Sequence, residues 1–151
     1  MRQGDYRATY RYSGNPVGTV NKTAVVIVDD HASVRQGLRG LIDAQPDFAV
    51  VGEAETGAGA LRRMNQAPPE VLVLDLELPD ISGIEVLKRV SQDYPRVRVL
   101  VFSSFPADHF ARAVLNAGAA AYVCKSSGAA AVLEELRMIV GGIGPSRPPL
   151  H

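Results

Sequence analysis

The sequence predicts an α/β fold built on a parallel, doubly wound sheet. Five short apolar runs rich in β-branched residues alternate with five stretches of helical periodicity, the signature of repeated strand–helix units. The runs are apolar almost throughout rather than alternating, as strands buried on both faces must be. A third observation bears on chemistry, because the runs end on polar residues. Asp29 and Asp30 follow residues 25–28, Asp75 follows 71–74, Ser103 follows 97–102 and Lys125 follows 121–124. Ligand sites of open α/β sheets lie in the crevice outside the C-terminal strand ends. Three carboxylates, a hydroxyl and an ammonium are therefore expected to share one pocket, a set that suits a divalent cation together with a phosphoryl group.

The elements follow in order. Residues 24–28 read as a first buried strand, and Val34, Leu38, Leu41 and Ile42 then recur at helical spacing. Pro46 ends that helix and residues 48–51 supply a second strand. Thr56 is placed to cap a helix with Leu61 and Met64 inward, broken at Pro68-Pro69. The third strand, 71–74, leads to Asp75 and the loop Leu78-Pro79-Asp80-Ile81-Ser82-Gly83. Ser82 followed by Glu85 has capping-box spacing, opening a helix with Ile84, Leu87 and either Val86 or Val90 inward. Tyr94-Pro95 closes it, and 97–102 form the fourth strand. A helix over 106–116 ends at Gly118, and 119–123 form the fifth strand. The last helix starts near Ser126 or Ser127, buries Val132, Leu133, Leu136, Ile139 and Val140, and stops at Gly141-Gly142 and Gly144-Pro145. Right-handed crossovers and a flavodoxin-like strand order, 2-1-3-4-5, make a three-layer (βα)5 sandwich with strands 1 and 3 adjacent. That order brings Asp29 and Asp30 beside Asp75.

A length of 151 residues suits one domain, expected over 24–142, with short flanks. Residues 1–23 hold no lasting periodicity and read as a mobile tail. Arg2, Arg7 and Arg11 interleave there with Tyr6, Tyr10 and Tyr12, which would suit stacking on single-stranded nucleic acid. A solvated tail is the preferred reading, since no fold supports the peptide. Residues 143–151 read as a linker. Sixteen basic and sixteen acidic side chains cancel, giving no electrostatic reason for this chain to bind nucleic acid or an anionic membrane by itself. Cys124 is the only cysteine, so no intramolecular disulfide forms. No apolar run approaches the roughly 20 residues that cross a bilayer, and the N-terminus lacks a signal-peptide core. The expected compartment is the cytoplasm.

Three acids at one sheet edge repel, raising at least one pKa unless a cation neutralises them. Mg²⁺, with Mn²⁺ as the alternative, suits such oxygen donors and keeps room for a phosphoryl oxygen. Taken singly, Asp30 and Asp80 also read as helix caps. His31, directly after the acid pair, invites a metal-ligand reading, but His109 and His151 lie far off without ligand spacing, and His31 is expected to face solvent at the start of the first helix. Cys124 reads as a small strand residue rather than a redox sensor. Gly57-Ala58-Gly59 lacks the third glycine of a dinucleotide loop and reads as a helix start.

Taken together, the segments Val28-Asp29-Asp30-His31, Val34-Arg35-Gln36-Gly37-Leu38, Leu74-Asp75-Leu76 with Pro79 and Gly83, Val101-Phe102-Ser103-Ser104, Ala117-Gly118-Ala119 and Tyr122-Val123-Cys124-Lys125-Ser126 carry a family resemblance. The chain resembles response-regulator receiver domains of two-component signalling, and more narrowly their NarL/FixJ-like (LuxR-type) branch, over about residues 24–142. The resemblance implies that Asp75 is the phosphoacceptor, attacking a phosphohistidine of a sensor histidine kinase. It implies that Asp30 and Asp75 ligate Mg²⁺ directly, that Asp29 acts largely through water and that the backbone carbonyl of Glu77 completes the set. Lys125 would pair with the acceptor carboxylate and then with the phosphoryl group. Ser103 would hydrogen-bond that group, and Tyr122 would turn inward in response. On the residues alone, Lys125 also reads as a surface lysine, Ser103 as a helix cap and Tyr122 as a half-buried core aromatic.

Glu77 and Phe105 flank the acceptor and are expected to tune the lifetime of the aspartyl phosphate; Ser104 is small, as access requires. The family usually precedes a helix-turn-helix DNA-binding domain, which does not fit into residues 141–151. The preferred reading is the receiver of a longer transcription regulator, with DNA contacted only through that further domain. The resemblance implies an output surface on the fourth helix, fifth strand and fifth helix, and a homodimer on phosphorylation is one open outcome. The alternatives are a stand-alone receiver acting by protein contacts, a scaffold that is not phosphorylated and a haloacid-dehalogenase-like phosphatase. That last class needs a second Asp two residues after the nucleophile, where this chain has Glu77.

Overall fold

The computed structural model describes residues 21–141. The expected linker, the domain edge at 142 and the leading tail up to residue 20 lie outside the described residues. Strands and helices alternate as β1 (Thr23–Val28), α1 (Ala32–Asp43), β2 (Phe48–Ala54), α2 (Gly57–Gln66), β3 (Val71–Leu74), α3 (Gly83–Asp93), β4 (Arg98–Ser103), α4 (Ala107–Asn116), β5 (Ala121–Cys124) and α5 (Ala129–Gly141). All five strands are parallel, in the order β2-β1-β3-β4-β5 that the sequence predicts.

Side-chain alternation along the strands divides the core in two. Val25, Ile27, Val71, Val73, Leu100 and Phe102 face Leu38 and Ile42 of α1 and Val132, Leu136 and Ile139 of α5. Val26, Val28, Leu72, Leu74, Val99 and Val101 face Ala60 and Met64 of α2, Val86, Leu87 and Val90 of α3 and Val114 of α4. Full burial of one such aliphatic side chain is worth about 1.5–3 kcal/mol, so these two faces dominate the stabilisation. Of the expected inward residues, Val34, Leu41, Leu61, Ile84, Leu133 and Val140 are only half-buried.

Several boundaries differ from the sequence reading. β1 starts one residue early, at Thr23, whose amide donates to the Asp47 carbonyl at 2.8 Å. β2 continues past Val51 to Ala54; it is an edge strand, so it tolerates Gly52 and Glu53 where a central strand would not. β4 and β5 lie one to two residues later than expected. The last helix begins at Ala129, because residues 125–127 form a 3-10 turn closed by Gly128 N–H donating to the Lys125 carbonyl at 3.1 Å. That turn lets Lys125 leave the strand for the pocket. Thr56 caps α2 as expected, accepting from Gly59 N–H at 2.9 Å. Ser82 caps α3 through Ile84 N–H at 3.1 Å, but Glu85 does not close a capping box; its carboxylate lies 3.9 Å from Arg89 on the next turn.

The loop between β3 and α3 is pinned from two sides. Asp80 caps α2 rather than its own helix, accepting from Gly57 N–H at 2.8 Å and Ala58 N–H at 2.9 Å. Gly83 lies against the backbone after β3, where an added Cβ would sit 2.4 Å from the Asp75 carbonyl oxygen and 2.4 Å from Leu76 Cα. By contrast, a Cβ on Gly37 of α1 would meet nothing within 4 Å. Gly83→Ala is therefore expected to destabilise the fold by about 1–3 kcal/mol through overpacking. Gly37→Ala should stabilise it by about 0.5–1 kcal/mol through helix propensity. Equilibrium denaturant unfolding checks both signs; equal effects would contradict the close approach at Gly83.

Candidate functional site

Register delivers the site. Val28 of β1 stands opposite Leu74 of β3, so the residues that follow, Asp29 and Asp75, leave adjacent strands at the same level. Each is tied down by a main-chain bond: Asp75 N–H donates to the Val28 carbonyl at 3.0 Å, and Asp29 N–H to the Ala54 carbonyl at 3.1 Å. Both carboxylates are buried, at 2% and 1% exposure. Lys125 bridges them, its Nζ lying 2.8 Å from Asp29 Oδ2 and 3.1 Å from Asp75 Oδ2. The remaining oxygen of Asp75 accepts from Glu77 N–H at 3.2 Å. The remaining oxygen of Asp29 accepts from His31 N–H at 2.8 Å and lies 3.0 Å from His31 Nδ1.

Asp30 stands on the rim with 35% of its side chain exposed, 3.1 Å from His31 Nδ1. Among the described residues it caps no helix: the N-cap of α1 is His31, which makes no side-chain cap bond. Ligand atoms of Asp29, Asp30, His31 and Asp75 all lie within 4.8 Å of one another. The sequence reading set a ligand role for His31 aside in favour of a solvent-facing one; the side chain is exposed as expected yet faces both acids. Its position directly after an acid pair at a strand end was the available signal.

Ser103 is fully buried at the end of β4, and its Oγ accepts from Phe105 N–H at 3.4 Å. It does not cap α4, whose N-cap is Pro106. Tyr122 is half-buried on β5 and donates its hydroxyl to the Phe105 carbonyl at 2.5 Å. Phe105 is half-buried and stacks on Phe110 with ring centroids 4.6 Å apart. Glu77 is exposed, and its carboxylate accepts from Ser104 Oγ at 3.1 Å, joining the loops that follow β3 and β4. Ser126 Oγ donates to Cys124 Sγ at 3.2 Å, which lowers the thiol pKa.

The electrostatics follow the geometry. Burial pushes the Asp75 carboxyl above the ordinary aspartate value and the neighbouring Asp29 charge adds to this, against the Glu77 amide and Lys125. Burial pulls the Lys125 ammonium down, but the hydrogen bond to Asp29 and the charges of Asp75 and Asp29 outweigh it, so its pKa is raised. Burial also raises the Tyr122 phenol, with the Ser103 hydroxyl opposing. One ammonium thus faces two buried carboxylates and a third on the rim, leaving net negative charge. The donors are hard oxygens with one imidazole, which fits Mg²⁺ or Mn²⁺.

A group whose pKa is raised on folding favours the fold below its unfolded value, and that contribution is lost as pH rises through the folded value. For Asp75 the loss begins near the unfolded aspartate pKa of about 3.9. Asp75→Asn is therefore expected to raise the metal-free melting temperature at pH 7, by about 2–5 °C for each 1 kcal/mol recovered, with the gap closing toward pH 4. Asp30→Asn, on the rim, should raise it less. Thermal unfolding in chelator-treated buffer checks the order; a lower melting temperature for Asp75→Asn would contradict it.

The profile of the response regulator receiver domain family matches residues 25–137. The transcriptional regulatory protein DegU of Brevibacillus brevis is 33% identical over 122 residues, covering 81% of this chain and 52% of that protein. A LuxR-family two-component response regulator from Aurantimonas sp. SI85-9A1 superimposes with a TM-score of 0.77 at 35% identity, covering 84% of this chain and 91% of that one. The signal receiver domain of the response regulator NarL from Mycobacterium tuberculosis gives a TM-score of 0.74 at 30% identity, covering 80% and 98%. The chain spans about half the length of the curated relatives it matches. Among the described residues no helix is long and apolar enough to cross a membrane. The chain therefore belongs to the response regulator receiver domain family, with LuxR/NarL-type regulators among its relatives.

Proposed function

We propose that this chain is a phosphorylation-operated switch in which Asp75 accepts a phosphoryl group from the phosphohistidine of a sensor histidine kinase. The observation that carries the reading is the buried Asp29–Lys125–Asp75 bridge, with Asp30 at its rim. A carboxylate oxygen of Asp75 attacks phosphorus, the P–N bond to the kinase imidazole breaks and the imidazole leaves. Such transfers depend mainly on positioning and on neutralising the equatorial oxygens. Asp30 and Asp75, with Asp29 through water and the Glu77 carbonyl, would hold Mg²⁺, which supplies positive charge to those oxygens. Lys125 supplies the second cation, shared with Asp29 until the transfer. Signalling rather than turnover of a metabolite is the outcome, the products being the aspartyl phosphate on this chain and the free imidazole of the kinase histidine.

The same reading assigns the switch to Ser103 and Tyr122. The Ser103 hydroxyl holds the Phe105 amide by a long bond of 3.4 Å, which a phosphoryl oxygen would outcompete. Phe105 also carries the Tyr122 hydroxyl on its carbonyl, so drawing Ser103 toward Asp75 loosens both ends of one residue. Two packings close in free energy suffice for such a device. Relatives named as transcriptional regulators support a unit over 24–142 that regulates transcription through a DNA-binding domain beyond residue 151, with homodimer formation as its consequence. Residues 1–23 and 143–151 would then be flanking segments, in a protein working in the cytoplasm.

Incubation with acetyl phosphate and Mg²⁺ should add one phosphoryl mass to the intact protein, and Asp75→Asn should abolish it. An unmodified wild-type chain, or a phosphorylated Asp75→Asn variant, would overturn the reading. The lifetime of the adduct is set at the mouth of the pocket by Glu77, held by Ser104, and by Phe105. Glu77→Lys and Phe105→Ala should each change the dephosphorylation rate severalfold; two unaltered rates would reject that assignment.

A further inference from the structure

The peptide that launches the acid pair is held by a brace that the phosphoryl chemistry does not use. Arg35 of α1 keeps only 16% of its side chain exposed and donates through Nη1 to the Asp29 carbonyl at 2.7 Å. Its Nε donates to Glu53 Oε1 of β2 at 2.9 Å. The other Glu53 oxygen accepts from Arg39 Nε at 2.5 Å. Burial raises the Glu53 carboxyl, but the hydrogen bonds and charges of Arg39 and Arg35 outweigh it and hold it below its ordinary value.

Glu53 reaches α1 because β2 carries an irregularity. Val25 pairs with Val50 but Val26 pairs with Gly52, so Val51 is an extra residue and Glu53 falls opposite Ile27. Without that insertion, alternation would turn Glu53 to the opposite face of the sheet. The bulge is itself accommodated: Arg63 Nη2 donates to the Val51 carbonyl at 2.8 Å. Gly52 leaves the space, since a Cβ there would lie 1.6 Å from that Nη2.

Asp29 is thus gripped at both ends, its amide by the Ala54 carbonyl at 3.1 Å and its carbonyl by Arg35. The direction of that carbonyl fixes the following peptide and so the path of Asp30. The Asp30 carboxylate needs such help, for among the described residues its one ion-pair or hydrogen-bond partner is His31. We propose that Arg35, braced by Glu53, is a positioning residue for divalent-cation binding: it fixes the Asp29–Asp30 peptide so that both carboxylates converge with Asp75. The inference rests on the phosphoryl-switch reading and adds to it a support lying outside the pocket.

Charge and position pull in opposite directions here, which makes the test sharp. A guanidinium near an acid cluster weakens Mg²⁺ binding by Coulomb repulsion, so removing it for charge alone would tighten binding. Removing an outer support loosens it, by about tenfold or more where such supports orient metal ligands. Titration calorimetry of the full chain with MgCl₂ should show Arg35→Met binding about tenfold more weakly than wild type. Arg35→Lys keeps the charge but loses the planar fork that serves two acceptors at once, and it should weaken binding in the same direction. At saturating Mg²⁺ the rate of phosphorylation by acetyl phosphate should return to within about twofold of wild type, since Arg35 touches no reacting atom. Unchanged or tighter Mg²⁺ binding by either folded variant, with wild type behaving normally, would overturn the brace alone. A wild-type chain that binds no Mg²⁺ would overturn the brace and the phosphoryl reading together. Should Arg35→Met fail to fold, Arg35→Lys decides.

Discussion

The site depends on one ammonium shared between two buried carboxylates. Asp29 and Asp75 are brought to the same level by the parallel register of β1 and β3, and neither has water enough around it to carry a charge cheaply. Lys125, arriving from a different strand, lies within 3.1 Å of both. Removing Lys125 leaves two facing carboxylates uncompensated in a place of low exposure, whereas removing one carboxylate leaves a matched pair. The strand order and the turn after β5 are therefore constrained by the pocket as much as by the core.

The two sides of the pocket are built differently. On the acid side, Asp80 caps α2, Gly83 packs on the backbone after Asp75, and the Asp29 peptide is bonded at both ends. On the other side, the loop after β4 is held by a 3.4 Å bond to Ser103, by the Tyr122 hydroxyl and by the Phe105–Phe110 stack. The helix it enters, α4, has no side-chain cap. The proposed switch would use this asymmetry, because small shifts become discrete rearrangements only where the packing has a second arrangement available.

Much of this was legible in the sequence. Continuous apolar runs gave the strands, and the polar residues that end them gave Asp29, Asp75, Ser103 and Lys125 their common edge. What escaped were features set by tertiary partners. Asp80 lies in the loop after β3 and looks like a local cap, yet its acceptors serve a helix that starts at Gly57. Glu53 lies beyond the second strand read from the sequence, 48–51, and the bulge that turns it toward Arg35 has no sequence signature beyond Gly52. The last helix starts late for a comparable reason: Ser126 and Ser127 are good caps in isolation, but the turn they occupy is needed to aim Lys125.

The most direct measurement is the titration of the Asp75 carboxyl by carbon-13 NMR, first in metal-free buffer and then with saturating Mg²⁺. Burial beside Asp29 predicts a metal-free pKa above the ordinary aspartate value, falling once the cation is added. An Asp75 that titrates at or below the ordinary value without metal, and does not respond to Mg²⁺, would contradict the crowded, cation-seeking pocket described here.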